Sequence, residues 1–222
     1  MGYQWALSDA TPTITGNRDG SPSDYNCISK DYHGNVDKTS GIPRVVGLAY
    51  CSNLDSFLDD IDSGKIEQII LQGFKRIFGR TVAINEINSW RNSLEVVGAV
   101  LRIDTKVPEL GVGIELQIDG TAKRIDLLFS GYAESGMPTT LLIELKQWSS
   151  AEITELDGIV STYIGGGNRQ MTHPSYQAWS YASLLRDFNV EVYENNISII
   201  PCAFLHNYVY NRHYVLLSLS CF

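Results

Sequence analysis

Residues 1–44 show little hydrophobic periodicity, being rich in Gly, Ser, Asp, Asn and Thr, and they read as an irregular leader to a domain over 45–222. From Tyr50 onward the apolar positions fall into phase. In SNLDSFLDDIDSGKIEQIILQGFKRIFG, Ser52 or Asn53 can cap a helix whose Leu54, Phe57, Leu58 and Ile61 recur at helical spacing. Ile66, Ile69, Ile70, Phe74 and Ile77 continue as a second stripe, which Gly79 is suited to stop. NEINSWRNSLEVVGAVLR predicts another helix, with Ile87, Trp90, Leu94, Val97 and Leu101 on one face.

The period then changes from helical to strand-like. VGIELQI, RIDLLFSGY and TTLLIELKQW follow one another closely, joined by the turn-prone Asp119-Gly120 and by AESGMP, so both connections predict hairpins. HPSYQAWSYASLLRDF returns to helical spacing with Pro174 in its first turn, and NISIIPCAFLHNY is a final apolar strand. Helix, three strands, helix, strand predicts an α/β (α+β) fold around one mixed central sheet flanked by helices.

Composition narrows the class without naming a function. A 44% hydrophobic fraction over 222 residues belongs to a chain that buries a core. No apolar run approaches the roughly 20 residues that cross a bilayer, and the first residues lack the basic and apolar regions of a signal peptide. No membrane association is expected. Cys27, Cys51, Cys202 and Cys221 are widely spaced, which predicts reduced thiols and a cytoplasmic protein, with neither zinc nor a disulfide framework. A net charge of -8 argues against coating nucleic acid electrostatically, but it leaves room for a local grip through a metal ion and a few basic side chains.

Strand alternation puts Glu144 and Lys146 on one face of a strongly apolar strand, and Arg124 and Asp126 on one face of the preceding strand, with Ile125 and Leu127 opposite. Paired through the hairpin, Asp126 and Glu144 can converge on one cation. Two carboxylates with waters make a hard-oxygen site for Mg²⁺ or Mn²⁺, beside which Lys146 can orient a water or neutralise phosphoryl charge. The plainer reading of the same residues is a solvated strand face with a cross-strand ion pair. Context favours chemistry, because Glu144-Leu145-Lys146 is the only E-x-K of the chain; its nearest rival, Asp104-Thr105-Lys106, precedes Pro108 in a polar connection. Glu115 shares the polar face of its strand with Gln117 and is the preferred third carboxylate, against an ordinary exposed glutamate. Gln177 and Tyr181, four apart, share a helix face. His173 is read as a phosphate contact or simply as a helix-start residue. Trp90 and Trp179 read as core, leaving Trp148 for substrate contact.

The run RIDLLFSG…LLIELKQW resembles the D…E-x-K signature of PD-(D/E)XK nucleases, and the αβββαβ order is similar to their restriction-endonuclease-like core. Gln177-x-x-x-Tyr181 resembles the Q-x-x-x-Y element of the RecB-like branch. More narrowly, SWRNSL, RIDLLFSGY, IELKQWS and HPSYQAWSYASLLRDFN resemble the N-terminal nuclease-like segment of bacterial Schlafen-type DNA/RNA helicase proteins, over Tyr50 to Tyr208. The resemblance implies an Mg²⁺- or Mn²⁺-dependent nuclease acting on DNA ahead of RNA, in nucleic-acid processing or antiviral defence. Catalysis would fall to Asp126, Glu144, Lys146 and Gln177, and metal binding to Glu115, Asp126 and Glu144, with Arg124, His173 and Tyr181 beside the substrate or the metal's water. It also implies a helicase or ATPase partner, since no GxxxxGK[ST] occurs in this chain, and self-association is a further expectation. Departures are Ile125 before Asp126 and two rival upstream helical acids, Glu86 and Glu95. The alternative is a catalytically inactive nuclease-fold module that binds nucleic acid or a protein partner.

Overall fold

Asn53 ends one element and starts the next: its Oδ1 accepts the Ser56 N–H at 2.8 Å, capping a helix directly after a strand. The computed structural model describes residues 47–103, 110–118 and 120–208, together with the backbone of Ile14–Thr15. The short strand β1 (Ile14–Thr15) is followed by β2 (Leu48–Asn53) and three helices, α1 (Leu54–Asp62), α2 (Ile66–Phe78) and α3 (Ile84–Leu101). The meander is β3 (Gly111–Gln117), β4 (Arg124–Ala133) and β5 (Pro138–Lys146). Then come β6 (Glu152–Ile153), β7 (Ile159–Ile164), β8 (Gly167–Thr172), α4 (Pro174–Phe188), α5 (Val190–Glu194) and β9 (Ser198–Leu205).

The main sheet has the order β2-β3-β4-β5-β9, with β1 pairing on the far end of β4. Every pairing is antiparallel except β5 with β9, so the sheet is mixed and the fold is α/β. Helices cover both faces. On one, Phe57, Ile70, Phe74 and Leu94 pack on Val112, Leu127, Phe129 and Ile143. On the other, Ala178, Ala182 and Leu185 of α4 pack on Leu116, Ile125, Leu128 and Leu142. Gly73 shows how tightly α2 lies on β2: a Cβ there would stand 1.7 Å from the Ala49 carbonyl oxygen, an overlap that only backbone movement could relieve.

The predicted α–β–β–β–α–β order is present, and Gly79 ends α2 in the left-handed conformation (φ 62°). Several elements were not anticipated. Residues 48–53 form an edge strand before the first helix, with Asn53 both its last paired residue and the cap of that helix. The connection between β5 and α4 carries its own three-stranded sheet, β6-β7-β8, and Asn189 caps the short α5. Cys51 is disulfide-bonded, against the expectation of reduced thiols, while Cys202 is a free thiol; sequence separation says nothing about which cysteines fold together. Trp179 is 41% exposed rather than core, and Trp148 is buried rather than available to substrate. The leader's Ile14–Thr15 is a strand. The rest of 1–44, the domain boundary at 45, and the residues Asp104, Lys106 and Asp119 lie outside the described residues. Among the described residues no helix is long and apolar enough to cross a membrane.

Candidate active site

The β4–β5 ladder runs from Tyr132↔Pro138 to Leu127↔Ile143. One residue further on, the Asp126 side chain takes over from the backbone: its Oδ2 accepts the Leu145 N–H at 2.8 Å. Glu144 is 2% exposed. Its Oε1 receives the Lys146 ammonium and also the Gln177 Nε2, the latter at 2.7 Å. Gln177 donates in addition to the Tyr181 hydroxyl at 3.0 Å, so α4 reaches the E-x-K strand through two polar side chains one turn apart.

The other oxygen of Glu144, Oε2, is buried and has no hydrogen-bond partner. An orphaned buried acceptor costs about 1–3 kcal/mol. The Asp126 carboxyl lies within hydrogen-bonding reach of Glu144, and two acceptors meet favourably only across a proton or a cation. Burial first, and then the Asp126 charge, push the Glu144 carboxyl up to about 8 despite the Lys146 ammonium. Burial also raises Asp126, opposed by the Leu145 N–H and by Lys146.

Glu115 is the second buried glutamate. Its φ of 55° is left-handed, rare for a residue with a side chain and costly inside a strand. The residues around it show the consequence. Ile114 packs toward α1–α3 but Leu116 toward α4, and across the ladder Leu127 and Ile125 divide in the same way. The expectation that Ile125 and Leu127 share a face therefore fails, because strict alternation assumes extended φ at every residue. The Glu115 Oε1 accepts from Trp90 Nε1 at 2.7 Å, and its Oε2 is 3.2 Å from Arg124 Nε. Arg124 in turn donates to Glu86 Oε1 at 2.6 Å and lies over the Phe74 ring. Burial, against the Arg124 charge, lifts the Glu115 carboxyl to about 7.

These groups line one polar cavity of about 190 Å³ between α3 and the sheet. Asp126, Glu144, Lys146, Glu115 and Arg124 border it, as does Glu86, whereas Glu95 does not. Gln177 and Tyr181 reach it through Glu144. His173 stands apart as the N-cap of α4, its Nδ1 accepting from Ser175 N at 3.2 Å. Trp148 lies under Lys146, whose Nζ is 5.8 Å from the ring centroid. Sequence reasoning missed Trp90 as the donor to Glu115 and missed Ser89 and Ser93, which also line the cavity. Their spacing along α3, on the side that carries Trp90, was the available signal.

The chemistry of the donor set suits a small hard cation. Asp126 and Glu144 supply two carboxylates, one with an oxygen that nothing else satisfies. Mg²⁺ keeps most of its waters and is commonly held by one or two carboxylates plus substrate phosphate. Glu115 belongs to the Trp90–Arg124 pair, and among the described residues no group of three or more His, Cys, Asp or Glu is placed to hold a metal. The fit is therefore to a two-carboxylate site and not to a closed protein cage.

The fold and site define an α/β protein with a buried acidic centre where two sheet strands part. No family model, curated protein or solved structure matches the chain.

Proposed function

We propose that the chain is a metal-dependent nuclease domain of the PD-(D/E)XK type, hydrolysing phosphodiester bonds in DNA or RNA. The observation that carries this reading is the unpartnered, buried Oε2 of Glu144 beside Asp126. A folded protein tolerates such an atom where something absent from the chain completes it. Asp126 and Glu144 would hold Mg²⁺ or Mn²⁺, which when bound supplies Lewis-acid stabilisation of phosphoryl charge and a more acidic water.

The remaining work belongs to the chain's own side chains. Lys146 keeps a cationic donor at the cavity wall, tethered by Glu144, where it can meet charge that develops on a phosphate oxygen. Gln177 fixes the Glu144 carboxylate from the opposite side without adding charge, and the Tyr181 hydroxyl holds the Gln177 amide in turn. The buried Trp148 ring backs the Lys146 side chain.

Labelled single- and double-stranded DNA and RNA, incubated with the protein in Mn²⁺ or in EDTA, test the reading. Cleavage that EDTA abolishes is the expected result. Absence of cleavage of every substrate in Mn²⁺ overturns the enzyme and leaves a binding module on the same scaffold.

A further inference from the structure

Arg124 and Lys146, the cations that border the cavity, are both answered by carboxylates: Arg124 meets Glu86 and Glu115, and Lys146 meets Glu144. Lys123, the residue before β4, differs. Its side chain is exposed, and among the described residues no carboxylate lies within ion-pair distance of it. Its Nζ rests instead 5.5 Å from the centroid of the Tyr181 ring. A ring face attracts a cation through its quadrupole but carries no net charge, so the ammonium keeps its charge and its donors for a ligand.

The placement is fixed at both ends of the side chain. At the root, the Lys123 N–H donates to Thr121 Oγ1 at 3.1 Å, and the Lys123 carbonyl oxygen accepts from the Ile118 N–H at 3.1 Å. Thr121 Oγ1 donates in turn to the Ile118 carbonyl oxygen at 2.9 Å. A four-carbon stem is ordinarily free to wander, but here its tip lies on a tyrosine that is itself buried. That tyrosine belongs to the site: its hydroxyl accepts from Gln177, and Gln177 grips Glu144. Lys123 is thus linked to Glu144 through Tyr181 and Gln177 on the α4 side of the sheet, whereas Lys146 and Arg124 border the cavity on the α3 side.

We infer that Lys123 is a substrate-binding residue whose ammonium takes a backbone phosphate of a nucleic-acid strand, flanking the phosphate at Asp126 and Glu144. A lone exposed ammonium holds a free anion poorly, since exposed ion pairs contribute little. A strand already engaged at the cavity presents its neighbouring phosphate at high effective concentration, so a polyanion suits this position and a small anion does not. The inference rests on the nuclease reading for which phosphate is cut, but the lysine contact itself is read from binding without cleavage.

The probe is a labelled single-stranded DNA oligonucleotide, bound to the full chain in EDTA and followed by fluorescence anisotropy over a salt series. Lys123→Gln removes the charge and keeps most of the side chain, and Lys123→Arg keeps the charge. Lys65→Gln, at an exposed lysine that precedes α2 and does not border the cavity, is the matched control for the loss of one charge. The wild type should bind, and Lys123→Gln should bind about fivefold more weakly at low salt, the upper scale for an exposed ion pair. Its log–log salt slope should fall by about 0.7, the increment for one phosphate contact on a single strand, and Lys123→Arg should restore both. In Mn²⁺ the loss should appear in KM rather than in kcat. No oligonucleotide binding by the wild type, or an affinity and slope of Lys123→Gln equal to those of Lys65→Gln, overturns the contact even if cleavage proceeds. Lys123-dependent binding without any cleavage keeps the contact and removes the nuclease reading instead.

Discussion

Glu115 and Glu144 make a controlled comparison inside one cavity. Both are buried glutamates, 5% and 2% exposed, both feel the Asp126 charge, and burial raises both carboxyls. Their surroundings differ. Glu115 has the Trp90 N–H on one oxygen and the Arg124 guanidinium beside the other, and Arg124 is anchored again by Glu86. Glu144 has its lysine and its glutamine crowded on a single oxygen, leaving the second bare. Burial and a shifted pKa therefore do not by themselves mark a chemical group. Neither second oxygen has a hydrogen bond; what separates the two residues is that the Arg124 guanidinium stands 3.2 Å from the second oxygen of Glu115, whereas the Lys146 and Gln177 donors of Glu144 both go to its other oxygen.

The largest expected contrast comes from truncating each acid. Glu144→Ala or Asp126→Ala should abolish cleavage and Mn²⁺ binding, and each should also lower the melting temperature, because Lys146 and Gln177 lose the Glu144 carboxylate and the Leu145 N–H loses Asp126. Glu115→Ala should keep Mn²⁺ binding but lower the melting temperature by about 3 °C or more, since Trp90 and Arg124 lose a buried partner. Calorimetry with Mn²⁺ and thermal melts of all three variants read both sides, and a Glu115→Ala protein that melts normally but loses Mn²⁺ would make Glu115 a ligand after all.

Lys146→Ala should retain Mn²⁺ binding and lose about a hundredfold in turnover, the scale for one transition-state charge stabiliser. Wild-type turnover in that variant would reduce Lys146 to an ion-pair partner of Glu144. Gln177→Ala should cost about tenfold in Mn²⁺ affinity or rate, as expected when a group that orients a ligand is lost, with little change in fold. Titration of Mn²⁺ into that variant decides it: unchanged affinity and rate would leave the Gln177–Glu144 bond purely structural.

The smallest effect sharpens the comparison by pH, in metal-free protein. A carboxyl whose folded pKa is raised contributes stability in acid and loses it as pH climbs from its ordinary value to the folded one. For Glu144 that window runs from 4.5 to about 8, and for Glu115 from 4.5 to about 7. The wild-type melting temperature should therefore decline between pH 5 and 8. Glu144→Gln should flatten the decline through to about pH 8, including the part above pH 7, and Glu115→Gln only the part below about pH 7. A scanning-calorimetry pH series that shows identical flattening in both would erase the distinction.

Much of this was legible along the chain. Gly79 as a stop, Asn53 as one of two candidate caps, and the buried stripe Trp90, Leu94 and Val97 all follow from local geometry. Glu144 and Lys146 lie on an apolar strand as their spacing predicts, and Gln177 with Tyr181 faces Glu144 across the sheet. The failures are equally physical. Trp179 was assigned to an apolar face of its helix, yet the small residues Ala178 and Ala182 take the sheet-facing positions and leave it outside. The β6-β7-β8 sheet sits on weakly patterned residues such as Gly167–Thr172, which alternation cannot reveal when little of a strand is buried.

By itself, then, the sequence determined which elements form and which acids are too costly to bury idly, since periodicity and capping are local and desolvation penalties attach to residue type. Only the tertiary structure decided which of two buried glutamates meets an arginine at its second oxygen and which does not. That difference depends on Trp90, Arg124, Lys146 and Gln177 arriving from four different elements, and on one left-handed residue that turns a strand over. Such geometry is a property of packing in three dimensions, and no spacing along the chain encodes it.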